Sequence, residues 1–186
     1  SPSRGLGDVY KRQDLVVPVP DSGNAAAIGY SQSKNLKFDL GLIRNHYVGR
    51  TFIEPAQKIR SLGVKLKLNA NKSSIKDKVV VLVDDSLVRG TTSHKIVNML
   101  YDAGAKEVHL RIACPEIKYP DFYGIDMPSK KELLAANMSV EEICSYVKAK
   151  SLKFLSLDGL YRAMGFRERN KEYPQLTDHY FTGEYP

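Results

Sequence analysis

The sequence predicts an α/β fold in which helices flank a mostly parallel β-sheet. Apolar segments of strand length alternate with segments of helical period, which is typical of this class. The segment Val79–Val83 is apolar on both faces, as a parallel strand covered by helices on both sides must be. Sheets of this class bind ligands at the carboxyl ends of their strands, so the residues that follow each strand are the first candidates for a site.

The first half of the chain begins with a strand and a helix. Leu15–Val19 is predicted as a strand, and the alanine-rich segment Asn24–Tyr30 begins a helix. Lys37–Leu42 is predicted as the second strand. Ile43–Lys58 contains glycine, proline and charged residues without a clear period, so it is predicted as a long loop.

The second half contains the centre of the predicted sheet. Val79–Val83 is its middle strand, and Val108–Ala113 is the next one. Between them, Thr91–Ala103 is predicted as a helix that ends at Gly104, because glycine favours the left-handed backbone of a helix C-terminus. The helix places these apolar residues on one face: Ile96, Met99, Leu100 and Ala103. Shorter helices are predicted after the last strand.

Length and composition predict one main domain. The chain has 186 residues, of which 42% are hydrophobic and 26% are charged, so it can bury one sizeable core and is not expected to be disordered. Residues 1–13 show no period of helix or strand and are interpreted as a non-native scar. The main domain is assigned to residues 14–170, and residues 171–186 are interpreted as a truncated C-terminal segment.

Composition also excludes several classes of protein. The longest aliphatic run is far shorter than the roughly 20 apolar residues of a membrane span, and no secretory signal is present, so we expect a cytoplasmic protein without membrane contact. Cys114 and Cys144 form neither a metal-ligand spacing nor a disulfide framework. The net charge of +7 suits a polyanion, but no basic run is interleaved with aromatic residues. A small phosphorylated substrate is therefore favoured over nucleic acid.

The end of the middle strand predicts a phosphate site. Asp84 and Asp85 end the strand, and a short loop then opens the next helix. Backbone N–H groups and hydroxyls converge at that helix N-terminus, where the helix dipole favours an anion. The loop residues concerned are Gly90, Thr91, Thr92 and Ser93.

The two aspartates extend this site toward a sugar. Ionised carboxylates only accept hydrogen bonds, so Asp84 and Asp85 are suited to bind two adjacent sugar hydroxyls, or Mg²⁺ through water. Together with the loop they predict a ribose 5-phosphate site. The competing interpretation is that Thr91 or Ser93 only caps the helix while the aspartates are solvated. The chain matches neither G-x-x-x-x-G-K-[ST] nor G-x-G-x-x-G after a strand, which removes support for P-loop and Rossmann sites.

The segment from Val79 to Ser93 resembles the phosphoribosyl pyrophosphate (PRPP) motif of type I phosphoribosyltransferases. Three further segments resemble glutamine PRPP amidotransferases (amidophosphoribosyltransferases), and the resemblance covers nearly everything from residue 14 to residue 186. These segments are Arg44–Ile53, Val64–Ala70 and Phe122–Pro128. The resemblance implies a type I phosphoribosyltransferase-like fold with a flexible active-site loop.

The resemblance also implies a role for each matching residue. Asp84 and Asp85 would bind the ribose hydroxyls and Mg²⁺, and Ser22 would contact pyrophosphate and the metal ion. The 5-phosphate would be bound by Arg89, Gly90, Thr91, Thr92 and Ser93.

Three catalytic residues are implied in the loop that closes over PRPP. Arg44 and Arg50 would face pyrophosphate, and Tyr47 would help to form the ammonia path. Without the resemblance, an ordinary exposed basic loop would explain these residues equally well.

In this family, ammonia displaces pyrophosphate from C1 of PRPP and gives 5-phosphoribosylamine, the first step of de novo purine biosynthesis. The ammonia comes from glutamine through an N-terminal glutaminase domain that begins with a catalytic cysteine. Ser1 is not a cysteine, and Cys114 is predicted to be buried within a strand, so we expect this chain to lack the glutaminase domain and to use free ammonia. The family also implies inhibition by purine nucleotides and a homo-oligomer, either a tetramer or a dimer.

An iron–sulfur cluster is not expected. Some relatives bind a four-iron cluster through a cysteine before Phe-Tyr-Gly-Ile-Asp and a C-x-x-C before Phe-Thr-Gly. Asp121 stands at the first of these positions, and no cysteine stands shortly before Phe181. Mg²⁺ is therefore the cofactor that the resemblance implies.

Two other functions remain open. A salvage phosphoribosyltransferase, which attaches a nucleobase, shares the Asp-Asp and Thr-Thr elements but does not need the segment Tyr47–Ile53. A non-catalytic regulator that binds PRPP would usually carry a DNA-binding module, and the sequence shows no helix-turn-helix or basic stripe.

Overall fold

A parallel sheet forms the centre of the molecule in the computed structural model, which describes residues 13–45, 68–123 and 129–185. The strands are β1 (Leu15–Pro18), β2 (Lys37–Phe38), β3 (Leu42–Arg44), β4 (Leu68–Ala70), β5 (Val79–Asp84), β6 (Glu107–Ile112) and β7 (Ser151–Phe154). The helices are α1 (Asn24–Lys34), α2 (Lys72–Ile75), α3 (Thr91–Asp102), α4 (Leu134–Asn137), α5 (Val140–Val147), α6 (Leu157–Ala163) and α7 (His179–Thr182). The five-stranded sheet has the order β2-β1-β5-β6-β7 with every pairing parallel, and β3 pairs antiparallel with β4.

Strand β5 is the middle of this sheet, as its sequence predicts. All six of its residues are buried, and it pairs with β1 on one side and β6 on the other. Val80 and Leu82 belong to the larger core with residues of α3 and α5, whereas Val81 and Val83 pack with Ala27 of α1. The strand is apolar on both faces because helices cover both faces, and the predicted α/β class is confirmed.

Helix α3 also follows the predicted pattern. Ile96 and Leu100 are buried, and so is Ala103 directly after the helix. Gly104 adopts φ 97°, a left-handed backbone that glycine adopts without steric cost, and it ends the helix.

The predicted strand Lys37–Leu42 is divided in the structure, so this prediction is wrong in part. Strand β2 ends at Phe38, and β3 then leaves the main sheet to pair with β4. Gly41 lies between them, where a Cβ atom would come within 2.6 Å of Ile75 Cδ1. A side chain larger than glycine at position 41 would therefore clash with α2 where the chain leaves the main sheet.

The C-terminal part of the chain is held by a group that we call the C-terminal cluster: Tyr161, Arg169, Asp178 and Glu184. The Asp178 carboxylate accepts hydrogen bonds from Tyr161 Oη at 2.8 Å and from Arg169 Nε at 2.6 Å. Arg169 also forms an ion pair with Glu184. Burial by itself would raise the pKa of Asp178, but the hydrogen bonds from Arg169 and Tyr161 lower it below its ordinary value. The cluster is therefore internally satisfied.

Next to this cluster, His179 is fully buried and its Nε2 lies 2.8 Å from Oδ1 of Asp121. This contact connects α7 to the segment that follows β6. The prediction of a truncated segment at 171–186 is not tested by these contacts.

Within the described ranges, no helix is both long enough and apolar enough to cross a membrane. Residues 1–12, which make up most of the predicted scar, and residues 46–67, on which most of the predicted closing loop falls, lie outside those ranges.

Candidate functional site

A cleft of about 480 Å³ opens at the carboxyl ends of β1 and β5. Open α/β sheets bind their ligands at this position. The cleft brings together every predicted site residue that the structure describes: Ser22, Arg44, Asp84, Asp85, Arg89, Gly90, Thr91, Thr92 and Ser93. Tyr47 and Arg50 lie outside the described ranges, so their roles stay predictions.

The acidic pair lies on the floor of the cleft. Asp84 is the last residue of β5 and is only 7% exposed, whereas the Asp85 side chain is exposed. The backbone N–H of Asp85 donates to Asp84 Oδ1 at 2.9 Å, and Ser86 Oγ donates to Asp85 Oδ1 at 3.1 Å. Because each carboxylate has about four lone-pair sites, the pair retains acceptor capacity toward the cleft.

Burial raises the pKa of Asp84 to about 7, and the negative charge of Asp85 acts in the same direction. Hydrogen bonds from the Asp85 backbone and from Ser22 favour the ionised form but do not offset burial. Among the described residues, no cationic side chain forms an ion pair with Asp84. A cation in the cleft would favour the ionised carboxylate, and such perturbed groups concentrate at functional sites.

The segment Arg89–Ser93, which we call the hydroxyl loop, opens α3, and its Gly90 is the N-cap of that helix and adopts φ 73°. The cap position is taken by a glycine, and within the described ranges no cap hydrogen bond from a side chain is present, so the interpretation in which Thr91 or Ser93 is the N-cap is wrong. Thr91 and Thr92 are exposed at the cleft, and Ser93 is buried beneath them. The N–H groups of the first turn therefore have no side-chain acceptor from the cap, and they are suited to bind an anion.

The turn after β1 places Ser22 beside the acidic pair. Gly23 N donates to Val19 O at 2.8 Å, and a Cβ atom on Gly23 would come within 2.3 Å of Val83 O. Only glycine allows the turn to approach β5 so closely. Ser22 Oγ consequently lies 3.5 Å from Asp84 Oδ1, at the outer limit of a hydrogen bond.

Two predicted arginines form exposed ion pairs at the rim of the cleft. Arg44 Nη1 lies 3.2 Å from Asp21 Oδ2, and Arg89 Nε lies 3.5 Å from Glu132 Oε1. Exposed pairs of this kind contribute little to stability, about 0 to 1 kcal/mol. Both guanidinium groups can therefore exchange their carboxylate for an anionic ligand at low cost.

Residues outside the predicted motif pack against the hydroxyl loop. Leu134 N donates to Val88 O at 2.9 Å. A Cβ atom on Gly90 would lie 2.5 Å from Leu134 Cδ2 and 3.2 Å from Tyr146 Cε1. No local pattern marks Leu134 or Tyr146, because they reach the loop through tertiary packing of α4 and α5.

Cys114 lies just beyond β6 rather than within a strand, so its predicted position is wrong. The thiol packs near the acidic pair, and burial raises its pKa to about 12, with Asp85 and Asp84 adding to the effect. A thiol that stays protonated at neutral pH is a poor nucleophile, so this cysteine is unsuited to glutamine hydrolysis.

The parallel sheet, the acidic pair at the end of its middle strand and the hydroxyl loop at a helix N-terminus define a type I phosphoribosyltransferase fold. The chain is 61% identical over 174 residues to the amidophosphoribosyltransferase of Rhizobium etli, which is 93% of this chain and 35% of that protein. The chloroplastic amidophosphoribosyltransferase of Glycine max is 54% identical over 173 residues, or 93% of this chain and 30% of that protein. No protein-family model matches the chain.

Solved structures show the same relationship. The glutamine PRPP amidotransferase of B. subtilis, complexed with ADP and GMP, is 48% identical with a TM-score of 0.82, over 95% of this chain and 38% of that one. A structure of the allosteric regulatory enzyme of purine biosynthesis is 46% identical with a TM-score of 0.79, with the same coverage. The chain spans about a third of the length of these relatives. The chain matches amidophosphoribosyltransferases over the region of their phosphoribosyltransferase domain.

Proposed function

We propose that the cleft binds PRPP with Mg²⁺, and that ammonia displaces pyrophosphate from C1 of the ribose to give 5-phosphoribosylamine. One observation carries this proposal: a buried carboxyl, a hydroxyl loop at a helix N-terminus and an arginine line a single cleft. The 61% identity to the R. etli amidophosphoribosyltransferase supports the same reaction, which begins de novo purine biosynthesis.

The two ends of the ribose 5-phosphate would be bound by different groups. The N–H groups of the first turn of α3 and the hydroxyls of Thr91 and Thr92 donate to the phosphate oxygens, and Arg89 adds positive charge at the rim. Asp84 and Asp85 accept hydrogen bonds from the two ring hydroxyls. The C1 atom then faces the side of the cleft formed by Ser22 and Arg44.

The carboxylates and the neighbouring hydroxyl fit Mg²⁺, which prefers oxygen ligands and retains several waters. Asp84, Asp85 and Ser22 would hold the ion, and the raised pKa of Asp84 is the observation that favours a cation here. When bound, the ion would neutralise charge on the pyrophosphate.

The reaction needs no activated side chain, because ammonia is already a nucleophile. Its lone pair forms the bond to C1 while the bond from C1 to the pyrophosphate oxygen breaks, and pyrophosphate leaves with that electron pair. The resulting ammonium group releases a proton to water. Arg44 would stabilise the charge of the leaving group by exchanging Asp21 for pyrophosphate, and Arg50 and Tyr47 are proposed to act beside it.

Regulation and assembly of the complete protein are proposed from its relatives. The B. subtilis enzyme binds ADP and GMP, and the second structure is of an allosteric enzyme, so we propose purine nucleotides as inhibitors. A homo-oligomer, a tetramer or a dimer, and a cytoplasmic location rest on the family resemblance.

Calorimetric titration with PRPP and Mg²⁺, followed by an assay of pyrophosphate release with ammonium at alkaline pH, tests the proposal. Binding and ammonium-dependent release should both be lost in the double variant Asp84→Asn, Asp85→Asn. The variant Asp102→Asn is a matched control, because this exposed carboxylate lies at the far end of α3.

Each alternative function has its own outcome in this assay. Release that depends on a nucleobase instead of ammonium would indicate a salvage enzyme, and binding without release would indicate a regulator. Absence of binding by the folded chain would contradict the proposal as a whole.

A further inference from the structure

We propose that His94 is a positioning residue that holds the hydroxyl loop in the conformation that binds the 5-phosphate. This inference rests on the function proposed above, and it assigns a role to a side chain outside the PRPP motif. His94 follows Ser93 in the first turn of α3, and its backbone N–H donates to Gly90 O at 2.9 Å.

The His94 ring is fixed by a hydrogen bond at each nitrogen. Its Nδ1 lies 2.9 Å from the carbonyl oxygen of Tyr146, at the end of α5. A carbonyl oxygen only accepts, so Nδ1 carries the hydrogen. Its Nε2 lies 3.0 Å from Asn98 Nδ2, one turn further along α3, and it accepts from that amide. Both contacts are satisfied by one neutral tautomer, which sets the orientation of the ring.

Tyr146, whose carbonyl oxygen accepts the His94 hydrogen bond, packs in turn against the hydroxyl loop. The rings of His94 and Tyr146 are 5.7 Å apart, and the Tyr146 ring borders Gly90, where a Cβ atom would lie 3.2 Å from Cε1. Leu134 fills the adjacent space and donates its N–H to Val88 O. The chain of contacts therefore runs from α3 through the end of α5 to the back of the loop.

This arrangement predicts an effect on one side of the cleft only. Loss of the Nδ1 hydrogen bond would allow the end of α5 to move away from Gly90, and the loop N–H groups would no longer converge on the 5-phosphate. Ser22 and Arg44, which form the opposite side, make no described contact with His94. Affinity for ribose 5-phosphate should therefore fall while affinity for pyrophosphate is retained.

Three variants of the 186-residue chain separate this role from a general effect on stability. His94→Leu removes both hydrogen bonds at similar volume. His94→Asn places an amide N–H where Nδ1–H was, so it should restore most of the function. Lys95→Ala, an exposed position on the same helix, is the control. Calorimetry measures the Kd of ribose 5-phosphate and, separately, of Mg²⁺-pyrophosphate.

We expect His94→Leu to raise the Kd of ribose 5-phosphate roughly 5- to 10-fold, the effect of about one hydrogen bond. The Kd of Mg²⁺-pyrophosphate should stay within about twofold of the parent value, well inside the effect of one hydrogen bond. Equal affinity of His94→Leu and the parent for ribose 5-phosphate would overturn the inference, and so would a parallel loss for both ligands.

A further variant, Asn98→Ala, tests the same inference if His94→Leu does not fold. Asn98→Ala retains the His94 ring but frees its orientation, so it should weaken ribose 5-phosphate binding selectively and to a smaller extent. A parent chain that binds neither ligand would contradict the proposed function itself, which is a different result from a parent that binds and a His94 variant that binds equally well.

Discussion

Asp84 in the cleft and Asp178 in the C-terminal cluster are buried to a similar extent, yet their surroundings differ in charge. Asp84 is 7% exposed and Asp178 is 3% exposed. Asp178 accepts from Arg169 and Tyr161, and its pKa is lowered. Asp84 has no cationic partner among the described residues, and burial raises its pKa to about 7. The two sites differ in their opposing charge, because Arg169 pairs with Asp178 and no described cation pairs with Asp84.

This difference distinguishes a structural carboxylate from one that is prepared for a ligand. A buried charge is tolerated when a hydrogen-bonded partner compensates it, and Asp178 has such a partner within the chain. At Asp84 burial disfavours the ionised form, and ionisable groups perturbed in this way concentrate at functional sites. The contrast predicts that substitutions of the two residues change stability in opposite directions, and that only the Asp84 substitution impairs catalysis.

The largest expected effect is on catalysis. Asp84→Asn should lower kcat/KM for PRPP with ammonium at least about 100-fold, because the variant loses charge where the metal and ribose hydroxyls are proposed to bind. Folded Asp178→Asn should retain the parent value within about a factor of two, since a change far from the reacting atoms leaves transition-state stabilisation intact. Similar losses in both variants would remove the distinction between the two sites.

The next effect is on stability in the C-terminal cluster. Asp178→Asn leaves Arg169 without its buried partner and should lower the free energy of unfolding by about 3 kcal/mol at pH 7. Because the folded-state pKa lies below the ordinary value of 3.8, this stabilisation is complete above pH 3.8 and is lost as pH falls through the folded-state pKa. Urea unfolding of parent and variant at pH 7 measures the cost of the substitution, and the same measurement at pH 3 shows how far that cost declines in acid.

A control for that experiment is available within the same cluster. Glu184 contacts Arg169 from the surface, so Glu184→Gln should cost less than about 1 kcal/mol. If Glu184→Gln lowered the free energy of unfolding as much as Asp178→Asn does, burial of the Asp178 carboxylate would not explain the effect of its substitution.

In the absence of Mg²⁺, Asp84→Asn is expected to raise the free energy of unfolding, which is the opposite of the effect of Asp178→Asn. Between pH 3.8 and about 7 the folded protein retains a proton that the unfolded chain has released, so the parent loses stability as pH rises across this window. Asp84→Asn should therefore be more stable than the parent at pH 8, by about 1 to 2 kcal/mol, and should approach it at pH 4. Thermal unfolding across this pH range would contradict the comparison if the variant were destabilised at pH 8.

The smallest effect is expected at the rim of the cleft. Asp21→Asn breaks an exposed ion pair with Arg44 and should change the free energy of unfolding by less than about 0.5 kcal/mol. Glu132→Gln, which breaks the exposed pair with Arg89, is the matched variant. Urea unfolding at low and at high salt should show both effects declining with ionic strength.

Much of the fold and of the cleft follows from one contiguous segment. Val79–Ser93 contains the buried strand, the acidic pair and the helix start, so the signals for structure and chemistry coincide in a short piece of sequence. The binding roles of these residues, and those of Tyr47 and Arg50, stay predictions. The geometry establishes only that the described ones share a cleft.

The features that sequence did not predict depend on contacts between distant segments. Leu134 and Tyr146 support the loop only because α4 and α5 pack behind it. Between β2 and β3 the chain passes Gly41, against which Ile75 of α2 packs closely. Strand β7 has four residues, too few to show a clear period at the edge of the sheet.

The central position of β5 has a consequence for amide hydrogen exchange. This strand has a parallel neighbour on each side and a helical layer on each face, so its amide hydrogens should exchange mainly through global unfolding. Asp84 is the last residue of this strand, whereas Arg44 is the last residue of β3, which belongs to the separate pair of β3 and β4. Local opening of the smaller pair would therefore change the width of the cleft while the carboxylate on its floor keeps its position.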